Sequence, residues 1–281
     1  MCRWLAYSGP SIRLDAILFK PDNSLIQQSL RAQRSRSVTN GDGFGVGWYS
    51  ERPRPGLFRD TQPAWNDENL RNLAEQINAR MFFAHVRAST GTPTSRPNCH
   101  PFRYGNWLFM HNGQIGEFEK IRRDLAFAVR PDLFTSIKGA TDSELFFYLA
   151  IGEGLEEDPP GALSRAIQTV EATRRAADIA EPFLLTAAVT NGETVYAVRY
   201  GSNGEAPSLY YGCDIPLTDV LDGDAESAVE EKGDESDPAI LILSEPLDDI
   251  EDNWTEVPPG HIVIAEENRA YVLPFSPEIK P

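Results

Sequence analysis

Apolar and polar residues along the chain alternate over short stretches far more often than they follow a helical period. RWLAYS (3–8), FGVGWYS (44–50), RMFFAHV (80–86), WLFMH (107–111), FLLTAAVT (183–190), TVYAVRY (194–200), AILILS (239–244), HIVIAE (261–266) and AYVLPF (270–275) are short and rich in aromatic and β-branched residues. Turn signals such as Asn-Gly and Pro-Gly bound them, so each predicts a strand. VTNGE (189–193) joins two of these runs and predicts a tight hairpin. Helical periodicity is rarer. NDENLRNLAEQINAR (66–80) puts Leu70, Leu73, Ala74 and Ile77 on one face behind an Asn/Asp cap. TDSELFFYLAIGEGL (141–155) starts on a Thr or Asp cap, GALSRAIQTVEATRRAADIA (161–180) is a longer helix, and FEKIRRDLAFAV (118–129) stops before Pro131.

Strands that follow one another through short turns, with the helices grouped between them, predict an α+β fold with antiparallel sheets rather than a βαβ alternation. The last strands either complete the same sheets or form a small second domain; the pattern leaves both open.

Composition changes this picture in two places. The net charge of −16 argues against nucleic acid as a partner, because phosphate binding needs a basic face. Half of that charge lies in DVLDGDAESAVEEKGDESD (219–237), nine acids and one Lys, which predicts a solvated, mobile acidic loop. The cysteines, Cys2, Cys99 and Cys213, are odd in number and far apart, which fits a reducing compartment rather than a disulfide framework. The opening MCRWLAYSGP has no signal-like apolar run, and no stretch reaches membrane-spanning length. The expected location is the cytoplasm, with no membrane partner.

Cys2 stands directly behind Met1. Methionine aminopeptidases remove Met1 when the next side chain is small, which leaves a thiol beside a free α-amine. Other polar residues interrupt apolar runs: NGDGFGVGWY (40–49), FAHVRAST (83–90), NCHPF (98–102), HNG (111–113) and TDSE (141–144). Each has a plain structural reading. Arg87 can be a strand-end surface charge, Asp142 a helix cap, Asn112-Gly113 a type I′ turn, and His85 and His111 satisfied core residues.

Their order and composition together resemble the class II glutamine amidotransferases, which are N-terminal nucleophile hydrolases. The likeness is nearer to stand-alone members, such as the amidotransferase-like subunit of the yeast glutathione-degrading complex and the γ-glutamyl hydrolase of ergothioneine biosynthesis. SEPL (244–247), Trp254 and VPPGHIVI (257–264) extend it through nearly the whole of 2–281 as a single domain. The resemblance implies a four-layer αββα sandwich and no cofactor or metal. It implies Cys2 as nucleophile, with the α-amine as base in the manner of N-terminal threonine enzymes. It also implies Asn112 and Gly113 as oxyanion donors. Arg87, Thr90 and Asp142 would bind the carboxylate and ammonium of a γ-glutamyl head group. Two departures stand out: Asn40 occupies a position that is Arg in many relatives, and Ala88 stands where synthase-fused relatives carry Trp, which leaves a roomier pocket.

The implied reaction is hydrolysis of a γ-glutamyl amide, either glutamine or a compound such as glutathione. The implied acceptor for any ammonia lies on a separate synthase or peptidase subunit, since the chain shows no P-loop or dinucleotide fingerprint. Two other readings remain. One is a non-catalytic or partner-dependent subunit that binds γ-glutamyl ligands. The other is a metal hydrolase using His85, Cys99, His100 and His111, which lacks HExxH or paired CxxC spacing.

Overall fold

The computed structural model describes residues 2–32, 39–89, 91–213 and 238–278. The chain lays down β1 (Arg3–Arg13), α1 (Leu14–Leu18), α2 (Leu25–Leu30), β2 (Phe44–Trp48), β3 (Gly56–Asp60), α3 (Glu68–Ala74) and β4 (Asn78–Val86). It continues with β5 (Phe102–Tyr104), β6 (Trp107–Ile115), α4 (Phe118–Ala128), α5 (Pro131–Phe134), α6 (Asp142–Gly152), α7 (Pro159–Ala176), β7 (Phe183–Thr190) and β8 (Val195–Gly201). The remaining strands are β9 (Tyr210–Cys213), β10 (Ile240–Leu243), β11 (Thr255–Glu256), β12 (His261–Glu266) and β13 (Arg269–Pro274).

Two antiparallel sheets result. One has seven strands in the order β11-β9-β10-β1-β4-β2-β3, and the other six in the order β13-β12-β8-β7-β6-β5. The last strands therefore complete both sheets, since β10 pairs with β1 and β12 with β8. Side-chain alternation sorts the first sheet's residues between two apolar layers. Leu5 and Tyr7 of β1 pack outward with Leu14, Ile17, Leu25 and Leu70 of the flanking helices. Trp4 and Ala6 face inward and meet Leu108 and Met110 of β6 from the second sheet. On the far side, Phe109, Phe183 and Leu185 pack against Leu125, Phe146, Phe147 and Ile167 of α4, α6 and α7. The order of layers is helix, sheet, sheet, helix.

Three local expectations are corrected. The helix expected over 66–80 stops at Ala74, because Asn78 and Ala79 pair with Arg13 and Ile12 of β1 and so begin β4. The strand expected at 3–8 runs on to Arg13 through a shift of register between Ser8 and Ile12. Asn112-Gly113 is not a turn: β6 passes straight through it, pairing Asn112 with Thr186 and Gly113 with Leu185. The hairpin over VTNGE joins β7 to β8 as expected. The acidic stretch 219–237 lies outside the described residues. No helix among the described residues is long and apolar enough to cross a membrane.

Candidate active site

Cys2 immediately precedes β1, at the centre of the seven-stranded sheet, and shares its face with Trp4 and Ala6, the face turned toward the other sheet. Its sulfur lies 3.5 Å from the backbone N of Ala88, which donates to it, and 3.6 Å from the Ala88 carbonyl oxygen. β1 and β4 set this contact, because their antiparallel pairing puts Arg3 opposite Val86 and so brings residue 2 to the stretch that follows β4. The backbone start is held by the far end of the chain. Arg3 forms a buried ion pair with Glu245 at 3.0 Å and donates from Nη1 to the Cys2 carbonyl. Ser244 accepts from the Trp4 amide and donates its own amide to the Trp4 carbonyl.

A cleft of about 490 Å³ opens over Cys2, and Arg87, Gly113 and Asp142 line it with the thiol. The structure thus gathers four of the six expected site residues on one concave surface. Arg87 is 3% exposed. Its guanidinium donates to the Asp42 carbonyl, the Ser89 hydroxyl, and the carbonyl and hydroxyl of Thr92, the last at 2.5 Å. All four acceptors are neutral. The positive charge is thus held in place with no ion pair among the described residues, an arrangement suited to an anionic ligand.

Asp142 occupies the first turn of α6, but the helix cap is Thr141, whose hydroxyl accepts from the Glu144 amide. The Asp142 carboxylate accepts from the Ile115 amide at 2.9 Å and the Ser143 amide at 2.7 Å, which fixes its orientation at the cleft. Thr90 lies outside the described residues.

Asn112 is the fifth residue, on the inward face of β6 with Leu108 and Met110. It is 1% exposed, and among the described residues neither its amide nitrogen nor its oxygen has a hydrogen-bond partner. Buried side-chain amides are nearly always paired. Asn112 does not line the cleft itself, but its chain neighbour Gly113 does, and among the described residues its amide is a donor left without a partner. Gly113 has φ of +150°, and a Cβ there would collide with the Leu184 carbonyl oxygen and the His111 ring. Only glycine lets the backbone come so close to β7 at this point.

Burial raises the Cys2 thiol above its ordinary pKa, while the Ala88 amide and the Arg87 charge pull it back down. The neutral thiol is therefore the resting form at neutral pH, and a base would be needed to ionise it. The histidines near the cleft do not offer one. Burial pushes His85 down to about 3 and lowers His100 and His111. They are also occupied. His85 Nε2 lies 3.2 Å from the His111 carbonyl, His100 Nδ1 accepts the His111 amide, and His111 Nδ1 meets the Ser143 hydroxyl at 2.8 Å. Among the described residues no group of three or more His, Cys, Asp or Glu side chains is arranged to hold a metal ion.

Sequence reasoning gave no role to Asp42 or Glu245. Asp42 accepts the Ser89 amide at 2.7 Å, and its own amide donates to the Arg87 carbonyl, so it pins the segment that carries the guanidinium. The signal available was the Asp inside the Gly-rich NGDGFG run, a polar residue where a bare turn needs none.

Two facing sheets flanked by helices, with a cysteine at the head of a central strand, define an N-terminal nucleophile hydrolase architecture. The chain belongs to the class II glutamine amidotransferases, whose family description matches residues 19–279. It is similar to a probable glutamine amidotransferase of Saccharomyces cerevisiae, DUG3, at 37% identity over 99% of this chain and 85% of the relative. It is also similar to the γ-glutamyl-hercynylcysteine sulfoxide hydrolase of Mycolicibacterium smegmatis, at 25% identity over 98% of this chain and all of the relative. Among solved structures, a glutamine aminotransferase class-II domain protein from Silicibacter pomeroyi superimposes with a TM-score of 0.74 at 36% identity, covering 98% of this chain and 99% of that one. The glutamine phosphoribosylpyrophosphate amidotransferase of Bacillus subtilis shares the fold, with a TM-score of 0.64 at 13% identity, covering 98% of this chain and 49% of that one.

Proposed function

We propose that the protein hydrolyses a γ-glutamyl amide through a thioester on Cys2, releasing glutamate and either ammonia or an amine. The observation that carries this reading is the sharing of one cleft by the Cys2 sulfur, the uncompensated Arg87 guanidinium and the fixed Asp142 carboxylate. A guanidinium and a carboxylate lining one cleft read an α-carboxylate and an α-ammonium. They read nothing of the group on the γ-nitrogen, so the leaving group is set elsewhere.

After Met1 is removed, the Cys2 α-amine takes the thiol proton, directly or through a water. The two groups have ordinary pKa values of about 8.5 and about 7.7–8.0, close enough for the transfer. Sulfur attacks the γ-carbonyl, and the oxygen that becomes negative is met by the Asn112 amide and the Gly113 N–H. The ammonium then protonates the leaving nitrogen, the C–N bond breaks, and water cleaves the thioester in the same sequence. The names of the relatives support both glutamine and larger γ-glutamyl compounds as the substrate class. A separate synthase or peptidase subunit is the proposed acceptor of any released ammonia.

The test is glutamate release from glutamine, glutathione and other γ-glutamyl compounds by the isolated protein, with Cys2→Ala as control and mass spectrometry of the mature chain. Release that depends on Cys2 from a chain lacking Met1 is expected. Active enzyme that keeps Met1 would refute the α-amine mechanism. Ligand binding without release would turn the reading toward a partner-dependent binding subunit.

A further inference from the structure

A second cavity, of about 600 Å³, shares no lining residue with the cleft over Cys2. Its wall carries Arg54 and Arg59 from β3 and the loop before it, Arg103 from β5, and Lys138 from the segment leading into α6. Four cations around one hollow are unexpected in a chain of net charge −16. The described residues place no ion pair on any of them. Arg59 donates to the Cys99 carbonyl at 2.9 Å, Arg103 to the Pro55 carbonyl at 2.9 Å, and Lys138 Nζ to the Thr135 carbonyl at 2.8 Å. These neutral acceptors orient the charges without cancelling them.

One carboxylate lines the cavity, Glu144, and it is already engaged: its two oxygens accept the amides of Lys138 and Gly139 at 3.0 and 2.6 Å. It closes the loop before α6 and leaves the positive charge in surplus. Burial lowers the Arg103 guanidinium, and Arg54 and Arg59 lower it further by repulsion, so the three stand near enough to feel one another. Like charges collected in a pocket destabilise the protein unless an anion relieves them.

We propose that this cavity is a binding site for a phosphate-bearing small molecule with at least two negative charges. Planar guanidinium groups converging from β3, β5 and the preceding loop match the oxygens of a phosphate ester or diphosphate, each able to give two parallel hydrogen bonds. Tyr148 adds an aromatic wall for the organic part, its hydroxyl tied to the Ser136 carbonyl at 3.0 Å. The cavity shares no lining residue with the cleft, and its surplus of cations differs from the one guanidinium and one carboxylate that the cleft offers a γ-glutamyl head group. The inference stands on this cavity alone and does not depend on the reaction assigned to the cleft.

Isothermal titration of the full chain at constant ionic strength tests it, with inorganic pyrophosphate, ADP and citrate as probes. Saturable binding of pyrophosphate and ADP at one site is expected, with citrate weaker. In the double variant Arg54→Ser/Arg103→Ser, affinity should fall at least about tenfold, as loss of a charge-assisted hydrogen bond implies, while glutamate release is unchanged. Arg54→Glu, at an exposed position, gives the same readout should the double variant fail to fold. Absence of saturable binding, equal binding by the variants, or citrate binding as tight as pyrophosphate would each overturn the assignment.

Discussion

Asn112→Ala separates the chemical reading of the site from a structural one. In the free protein the Asn112 amide is buried and pairs with nothing among the described residues, so its removal deletes no hydrogen bond. It does remove a desolvation penalty of about 1–3 kcal/mol for an unpaired buried polar group. The void left behind costs about 24 cal/mol per Å³, on the order of 1 kcal/mol for an amide-sized space. The two nearly cancel, and the melting temperature should stay within about 4 °C of the parent. Catalysis has no such compensation. Losing one oxyanion donor costs about 100- to 1,000-fold in kcat, or roughly 2.7–4 kcal/mol of transition-state stabilisation. KM should hardly move, because Arg87 and Asp142 bind the other end of the substrate. Steady-state glutamate release, read beside differential scanning fluorimetry, measures both. A kcat within threefold of the parent, or a large loss of melting temperature with activity retained per folded molecule, would show that Asn112 is not held for the oxyanion.

Gly113→Ala should fail the opposite way, losing stability along with activity. A methyl group at φ of +150° strikes the Leu184 carbonyl oxygen and the His111 ring, a cost of at least about 2 kcal/mol visible as an earlier urea midpoint; an unchanged midpoint refutes the close approach. Arg87→Lys keeps the charge but gives up the planar pair of donors, so KM for glutamine should rise roughly 10- to 100-fold with a smaller change in kcat. An unchanged KM would remove Arg87 from the head-group site. Stability should fall as pH drops below about 6.5, the ordinary histidine value. Burial holds His85 down to about 3, so the unfolded chain takes up its proton first, and the stabilisation present above pH 6.5 is lost on the way to pH 3. The slope is about 1.4 kcal/mol per pH unit for each such histidine. Urea midpoints across this range check it, together with His85 ring resonances that do not titrate between pH 7 and 5; a ring titrating near 6.5 would sink the prediction.

The strands were legible because their apolar positions repeat locally. RMFFAHV and FLLTAAVT announce β4 and β7 without help from the rest of the chain. What depends on pairing was not. Asn112-Gly113 has the composition of a turn, and only the β7 partner strand makes it the middle of β6. Asn78 and Ala79 continue a helical pattern, and only the far half of β1 takes them into a sheet. α1 and α2 are too short to show a period, and they exist because β1 and β4 give Leu14, Ile17 and Leu25 a surface to cover. The site residues were legible as types in an order, while the reason each can act was not. The missing partner of Asn112 and the neutral partners of Arg87 are facts of packing. The basic cavity was invisible for the same reason, its cations scattered from Arg54 to Lys138 and gathered by three separate elements.

The proposed nucleophile sits close to the start of the chain, where residues fray unless something ties them down. Here the tie comes from more than two hundred residues away. The buried pair of Arg3 and Glu245 is a poor source of stability in itself, since desolvating both charges offsets most of their attraction. Its value is positional. Arg3 turns back to hold the Cys2 carbonyl, Ser244 grips the Trp4 amide and carbonyl from the neighbouring strand, and Asn23 and Gln28 fasten the Glu245–Pro246 backbone to α2 and its approach. Each contact removes a freedom that would let the sulfur swing away from Ala88. On the proposed mechanism, a tied-down Cys2 would keep the thiol, Asn112, Gly113 and Arg87 in one geometry before substrate arrives, and preorganisation of that kind is what lets a hydrogen bond lower a barrier instead of merely binding a ligand.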